Sequence, residues 1–344
     1  MIIGDDKICL TCKTHQVNKK INWIKKEKLF SNIFNKVKKK SKYFDVLIPV
    51  SGGKDSTWQV LKCLEHNLKP LTYTYRPIER TKIGQINIDN LKGLGVDHIE
   101  YSVNPKIEKE LIKRSFLKFG SMAISMHLMI WNGAMNLANF YKIPYIIWGE
   151  NSAVQYSGIT DKYKTLNKKW IKKYGNTFGK SSYFWVKNNF SQKDLSLYHL
   201  VKTKFKPKSI FLSDYFRWDP KKTFAISKKY GFKNLNKPLT GIYNFSDIDD
   251  SILSIHHYLK YYKFGITRVF DNLSLEIRNA RISRDEAVKI ANKSMKIVPH
   301  DHIKRFCNFI NISEKKFFQV CEKFRNKKIW KKKKKKWVLE NPLS

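Results

Sequence analysis

Acidic residues are scarce in this chain. Only 28 of its 344 residues are Asp or Glu, against 68 Lys or Arg, for a formal net charge of +40. Such an excess suits a polyanionic partner, whether RNA, a membrane surface or a nucleotide-bearing substrate. It suits equally a solvated lysine surface from an AT-rich coding sequence, because Lys, Asn, Ile, Phe and Tyr are all abundant and 58 of the 68 bases are Lys. Cysteine is scarce as well. Five scattered residues exclude a disulfide framework. Long apolar runs are missing. The most apolar stretch, Met122–Trp148, is broken by His127, Asn132, Asn136, Asn139, Lys142 and Pro144, so no membrane span is expected. The opening segment Met1–His15 has no apolar core region, so a secretory signal is not expected and a cytoplasmic location is. A hydrophobic content of 42% is nevertheless enough for a globular protein of one large or two modest domains.

Residues 1–42 show little apolar periodicity. They contain Cys9-x-x-Cys12 and the basic run Lys36–Lys42, and read as an N-terminal basic extension. The pattern then changes. Phe44–Val50 is a compact apolar run, the mark of a buried parallel strand. Ser51–Thr57 follows as a turn, and Trp58, Leu61, Leu64 and Leu68 recur at helical spacing. Pro70–Tyr75, His98–Ser102 and Tyr145–Trp148 read as further strands. Residues 83–94, 105–118 and 122–141 read as helices. This alternation predicts an α/β fold with a doubly wound parallel sheet over residues 43–160. In such sheets ligands bind at the carboxyl ends of the strands, so Ser51–Thr57 and Gly149–Glu150 should share one rim. Residues 161–344 read as a C-terminal substrate or partner region, mostly helical. Loops and short helices are expected up to about 240, then helices at 249–262, 283–293 and 313–325. Ser283 and Glu286 have capping-box spacing. Lys331–Lys336 reads as a solvated, frayed tail.

Ser51-Gly52-Gly53-Lys54-Asp55-Ser56-Thr57 carries the most chemical information. Paired glycines allow a sharp turn that exposes main-chain N–H groups, and the positive end of the following helix faces the same space. Ser51, Ser56 and Thr57 add hydroxyls and Lys54 a charge, which together make a cradle for a phosphate chain. Asp55 is the exception. A carboxylate there fits a magnesium ion or a helix cap. Glu150, at the end of a strand on the same rim, is a second carboxylate for substrate or magnesium. The loop is not a Walker A motif.

The order of strand, S-G-G-x-D-S and helix resembles the PP-loop ATPases. That resemblance implies a loop that grips the β- and γ-phosphates of ATP while a substrate oxygen attacks the α-phosphate. The segments Leu71–Tyr75, Ile83–Glu100, Ile146–Ala153, Ile255–Arg268 and Ser274–Ala287 are similar to the N-acetyl sugar amidotransferases of that class. The family likeness implies that ATP activates the acetamido oxygen of a sugar and that ammonia replaces it to give an acetamidino group. It also implies magnesium as cofactor, a sugar from surface-polysaccharide or nonulosonic-acid pathways, and a separate glutaminase with a barrel-type subunit relaying ammonia. No Cys–His glutaminase signature is present in this chain. The expected catalytic residues are therefore Lys54, Asp55 and Glu150.

Only ten arginines occur, yet Arg268, Arg278, Arg281 and Arg284 fall close together. Guanidinium forks suggest a grip on substrate phosphate or carboxylate, with Arg268, Arg278 and Arg281 as the substrate-binding candidates. Salt bridges to Asp271, Glu276, Asp285 and Glu286 are the alternative. Two segments depart from the family pattern. Cys9 and Cys12 lack a second cysteine pair, so a structural zinc is not expected even with His15 as a third ligand. Residues 119–127 keep only His127 where relatives carry cysteines and a histidine. His256 and His257 read as a half-buried helix pair. Two other functions fit the loop: a tRNA-modifying PP-loop enzyme, which would use the charge, and a degenerate subunit that no longer turns over ATP. No RNA-binding module is recognisable, so nucleic acid is not the expected partner.

Overall fold

The computed structural model describes residues 6, 8–157, 166–188, 190–295 and 297–342. They form two compact units, one of Met1–Asn104 with Ser125–Lys233, the other of Pro105–Ile124 with Asn234–Ser344. In chain order the elements are α1 (Leu10–Lys19), α2 (Trp23–Lys38), β1 (Val46–Pro49), α3 (Lys54–Glu65), β2 (Pro70–Tyr75), α4 (Lys82–Lys92), β3 (Asp97–Tyr101), α5 (Pro105–Phe119), α6 (Ile124–Phe140), β4 (Tyr145–Trp148), α7 (Ser152–Ser157), α8 (Lys168–Tyr174), α9 (Ser182–Val186), β5 (Lys208–Phe211) and α10 (Pro220–Lys229). Then come α11 (Leu253–Phe264), α12 (Arg268–Arg278), α13 (Arg284–Ser294), α14 (His300–Ile310), α15 (Glu314–Lys323), β6 (Trp330–Lys333) and β7 (Lys336–Leu339). Among the described residues no helix is long and apolar enough to cross a membrane.

The first unit is built on a five-stranded sheet in the order β3-β2-β1-β4-β5. Every neighbouring pair is parallel. The centre of the sheet is dry: Val46, Leu47 and Ile48 of β1 are each 0% exposed, as a strand covered on both faces requires. From β1 the chain winds outward through β2 and β3, then returns to the other side of β1 for β4 and β5. The reversal opens a crevice at the carboxyl ends of β1 and β4, the topological switch point of a doubly wound sheet.

The second unit is helical, and α5 belongs to it. Phe116 of α5 stacks on Phe317 of α15 at 5.3 Å between ring centroids, with Phe306 of α14 edge-on at 5.2 Å. All three are 0% exposed. The capping box of Ser283 and Glu286 is present at the start of α13. A second cluster joins Val269, Leu273, Ala287 and Ala291 between α12 and α13.

Three sequence expectations need correction. Residues 1–42 are not a bare extension, because α2 buries Phe30, Phe34 and Val37 at i, i+4 and i+7. Phe30 lies 5.1 Å from Phe216, and Phe34 lies 5.2 Å from Tyr145. The stripe is one residue wide and set among lysines, which hides its period. The units do not divide at 42 and 160, since the chain leaves the first unit for α5 and returns to it. Lys331–Lys336 is not frayed. It forms most of an antiparallel hairpin, β6 against β7, held by the buried Trp330. The strand β5 and the helices α12 and α14 also lie where no particular element was expected, while α10 is one of the short helices expected before residue 240.

Candidate nucleotide site

The loop after β1 is pinned before it turns. Val50 donates its N–H to Tyr73 O at 2.8 Å, and Thr74 Oγ1 donates to Val50 O at 2.6 Å. The turn is closed by side chains of the motif itself. Ser51 N–H donates to Ser56 Oγ at 2.9 Å, and Gly53 N–H donates to Ser51 Oγ at 3.3 Å. Gly52 has φ +81°, and a Cβ on it would stand 2.9 Å from the main-chain N of Ile88. Backbone geometry and the neighbouring α4 therefore both require glycine there. Gly53 is the N-cap of α3 and supplies no side-chain cap. The first turn of a helix presents main-chain N–H groups beyond the intrahelical ladder, and the helix dipole adds positive potential at the same point. That arrangement binds anions.

Lys54 and Asp55 form an ion pair directly behind this turn. Asp55 Oδ1 also accepts hydrogen bonds from Trp218 Nε1 at 2.9 Å and Thr223 Oγ1 at 3.0 Å. Two donors fill that oxygen, and Oδ2 accepts from Lys54 Nζ, which leaves Oδ2 one further lone pair for a ligand. Ser227 Oγ, on α10, stands 2.7 Å from Lys54 O. Trp218, Thr223 and Ser227 were not anticipated from sequence. They sit in a lysine-rich stretch with no apolar period, and only the spacing of Asp219, an N-cap, and Pro220 signals the helix they serve.

The same stretch is clipped to α4. Asn87 Nδ2 donates to Lys233 O at 2.9 Å, and Lys233 N–H returns a bond to Asn87 Oδ1 at 2.7 Å. Asn90 Nδ2 donates to Gly231 O. The two asparagines of the Ile83–Glu100 motif therefore fasten main chain rather than reach for a ligand. Across the crevice, Gly149 follows β4. A Cβ on it would stand 2.7 Å from Gln59 Nε2 and 3.9 Å from Asp55 Cβ, so the two rim segments meet side by side. Glu150 is half-buried at the next position, and the 0%-exposed Asn151 accepts from Ala153 N–H at 3.1 Å to start α7.

The arginine candidates lie in the second unit, where Arg268 and Arg281 form salt bridges. Arg281 grips Glu276 with both nitrogens, at 2.9 and 2.8 Å. Arg268 Nε donates to Asp247 Oδ2 at 2.9 Å, and Nη1 stands 3.7 Å from Asp271 Oδ2. Arg278 donates from Nε to Ser274 O at 3.1 Å. Burial opposes ionisation of Asp247, but Arg268 and His257 hold its carboxyl well below the usual carboxylate range. Cys9 and Cys12 stand at the start of α1, where Cys12 N–H donates to Cys9 Sγ at 3.4 Å. No cluster of three His, Cys, Asp or Glu that could hold a metal is found among the described residues. Burial pushes the thiols of Cys307 and Cys321 up to about 11 and about 12. Cys63 is raised by burial too.

No curated protein matches the chain. Among solved structures, an NMN synthetase from Francisella tularensis shares 12% identity and a TM-score of 0.36, covering 85% of this chain and 94% of that one. An NH3-dependent NAD synthetase from Campylobacter jejuni shares 14% identity and a TM-score of 0.33, covering 62% of this chain and 96% of that one. The clearest relationship lies in the C-terminal part: residues 225–343 match the family model of the LPS biosynthesis protein WbpG-like, C-terminal domain, and that part of the chain is similar to this family.

Proposed function

We propose that the chain is an ATP-dependent amidotransferase acting on an N-acetyl sugar. The acetamido oxygen attacks the α-phosphorus of ATP and pyrophosphate leaves. Ammonia then adds to the activated carbon, and AMP departs with the former amide oxygen to leave an acetamidino group. An amide oxygen is a poor leaving group, and adenylation makes it a good one. The observation that carries this reading is the start of α3 behind Gly52 and Gly53 at the switch point. Its N–H groups would hold the phosphate chain, and Lys54 would add charge against the departing pyrophosphate. Asp55 Oδ2 and Glu150 are the rim carboxylates that would hold magnesium. Magnesium, when bound, would supply further neutralisation of phosphate charge.

The substrate class is supported by the match of residues 225–343 to a family named for LPS biosynthesis. A separate ammonia source, a glutaminase with a barrel-type relay, belongs to this reading through the family likeness. Raised thiol pKa values suit inert core cysteines rather than a glutaminase nucleophile. The test is release of AMP and pyrophosphate from ATP, ammonium and a panel of N-acetyl nucleotide sugars and nonulosonic acids, with the product mass read out. Product should be one mass unit lighter than substrate, as expected when NH replaces O. ATP binding without AMP release for any member of the panel sinks the proposal, and tRNA-dependent AMP release would place the chemistry on RNA instead.

A further inference from the structure

The β6–β7 hairpin holds its lysines in an arrangement the chain itself disfavours. Lys331 through Lys336 are all exposed. Lys333 and Lys336 sit directly opposite each other across the two strands, where like charges repel. The turn residues Lys334 and Lys335 have φ +43° and +65°, a conformation that asparagine and glycine normally occupy in tight hairpins. Glu340 lies 3.7 Å from Lys331. Among the described residues Lys333, Lys334, Lys335 and Lys336 have no carboxylate within ion-pair distance.

The base beneath this tip is closely packed. Trp330 is 2% exposed and donates from Nε1 to Tyr262 O at 3.0 Å. The Arg325 guanidinium lies 4.4 Å from the Tyr262 ring, 4.8 Å from Trp330 and 5.1 Å from Trp337. Glu340 N–H donates to Ile329 O at 2.9 Å, closing the open end of the hairpin. A solvated tail would relax its charges apart. This one is built to present them together, and a bound polyanion would remove the repulsion.

We propose that the hairpin tip docks the protein on the anionic surface of a phospholipid bilayer. Lysine ammoniums are hydrated point charges on flexible stems, suited to lipid phosphates whose positions are not fixed. No arginine fork stands at the tip to read a base. The hairpin's two tryptophan rings are already covered, by Arg325 and, for Trp337, by Lys332 at 5.3 Å, so no stacking platform remains for single-stranded RNA. Beside the base of the hairpin, Phe264 is 61% exposed at the end of α11. The next residue, Gly265, sits so close to Leu339 that a Cβ on it would stand 2.6 Å from Leu339 Cδ2. An exposed phenyl ring at the base of a lysine-tipped hairpin adds an apolar contact of the kind that interfacial membrane segments use.

A protein of charge +40 binds anionic vesicles to some degree anywhere on its surface, so the test compares positions at constant net charge. The full chain is sedimented with vesicles of equal parts phosphatidylglycerol and phosphatidylcholine at physiological salt. The variant with Lys333, Lys334, Lys335 and Lys336 all changed to Gln is expected to bind on the order of a thousandfold more weakly. A control with Lys25, Lys28 and Lys36 on α2 and Lys39 at its C-terminal cap changed to Gln should lose only a few-fold. Circular dichroism with an unchanged melting transition shows that both variants are folded. Equal losses in the two variants overturn the proposal, because the binding would then follow global charge. It is also overturned if the tip variant keeps vesicle binding but loses binding to polyuridylate, which would make the tip an RNA contact.

Discussion

Ser227 Oγ stands 2.7 Å from the main-chain oxygen of Lys54, joining residues 173 positions apart. The hydroxyl has one hydrogen and two acceptors, because Thr223 O is 2.8 Å away on the same helix. Ser227 is 0% exposed. Replacing it with Ala should cost about 1 kcal/mol of stability and leave the start of α3 less firmly held. The expected kinetic sign is a several-fold rise in KM for ATP with a smaller change in kcat, measured by AMP release.

Gly52 should tolerate no side chain. Gly52→Ala places a Cβ 2.9 Å from Ile88 N in a backbone at φ +81°. The left-handed conformation alone costs a non-glycine residue about 1–2 kcal/mol, and the clash with main chain adds to it. Denaturant titration should show the loss, and equilibrium dialysis with ATP should show binding abolished. Gly53→Ala is the informative contrast, since its Cβ would meet nothing closer than Ser51 Oγ at 3.2 Å.

Arg281 should prove structural. Its bidentate partner Glu276 is 4% exposed and also accepts a hydrogen bond from Tyr243. Arg281→Ala would strand a buried carboxylate, at a cost of about 3 kcal/mol. Arg281→Lys should recover little, because an ammonium cannot supply the fork. The check is a denaturant midpoint that falls in both variants, with the KM for sugar unchanged in whatever fraction stays folded.

Glu108 gives the second unit a pH dependence. Burial at 2% exposure, together with the nearby Asp250, pushes its carboxyl up to about 8 from an ordinary 4.5. The folded form therefore keeps a proton that the unfolded form releases, and stability from this group falls as pH rises from about 4.5 to about 8. Above that window the loss is complete, and it amounts to about 5 kcal/mol at most. The difference in unfolding free energy between wild type and Glu108→Gln, followed across this range, should show that slope. A difference that stays flat would show that Glu108 ionises normally.

Much of the first unit is legible residue by residue. Pro70–Tyr75 and Tyr145–Trp148 end where β2 and β4 end, because buried parallel strands are short apolar runs bounded by turn residues. β5 escaped notice because Lys208-Ser-Ile-Phe lies at a sheet edge and needs fewer apolar residues. α14 escaped because its buried residues, Ile303, Phe306, Cys307 and Ile310, are interleaved with charged and polar ones over just three turns. The lysine run misled for another reason. Its strand pairing depends on Trp330 and Arg325, which sequence separates from the run's tip.

By itself the sequence determined the glycine turn after β1, the adjacent rim at Gly149–Glu150 and the alternation of strands and helices that sets them at one end of a parallel sheet. These follow from local rules, glycine conformation and strand patterning, which act within a few residues. Tertiary structure alone decided that Asp55 is anchored by Trp218 and Thr223, that Asn87 and Asn90 fasten the segment ending at Lys233, and that Arg281 faces Glu276. Each of those contacts depends on burial that brings distant polar groups together. Desolvation then penalises any that go unpaired, so the partner is set by the packing of the whole unit rather than by neighbours in the chain.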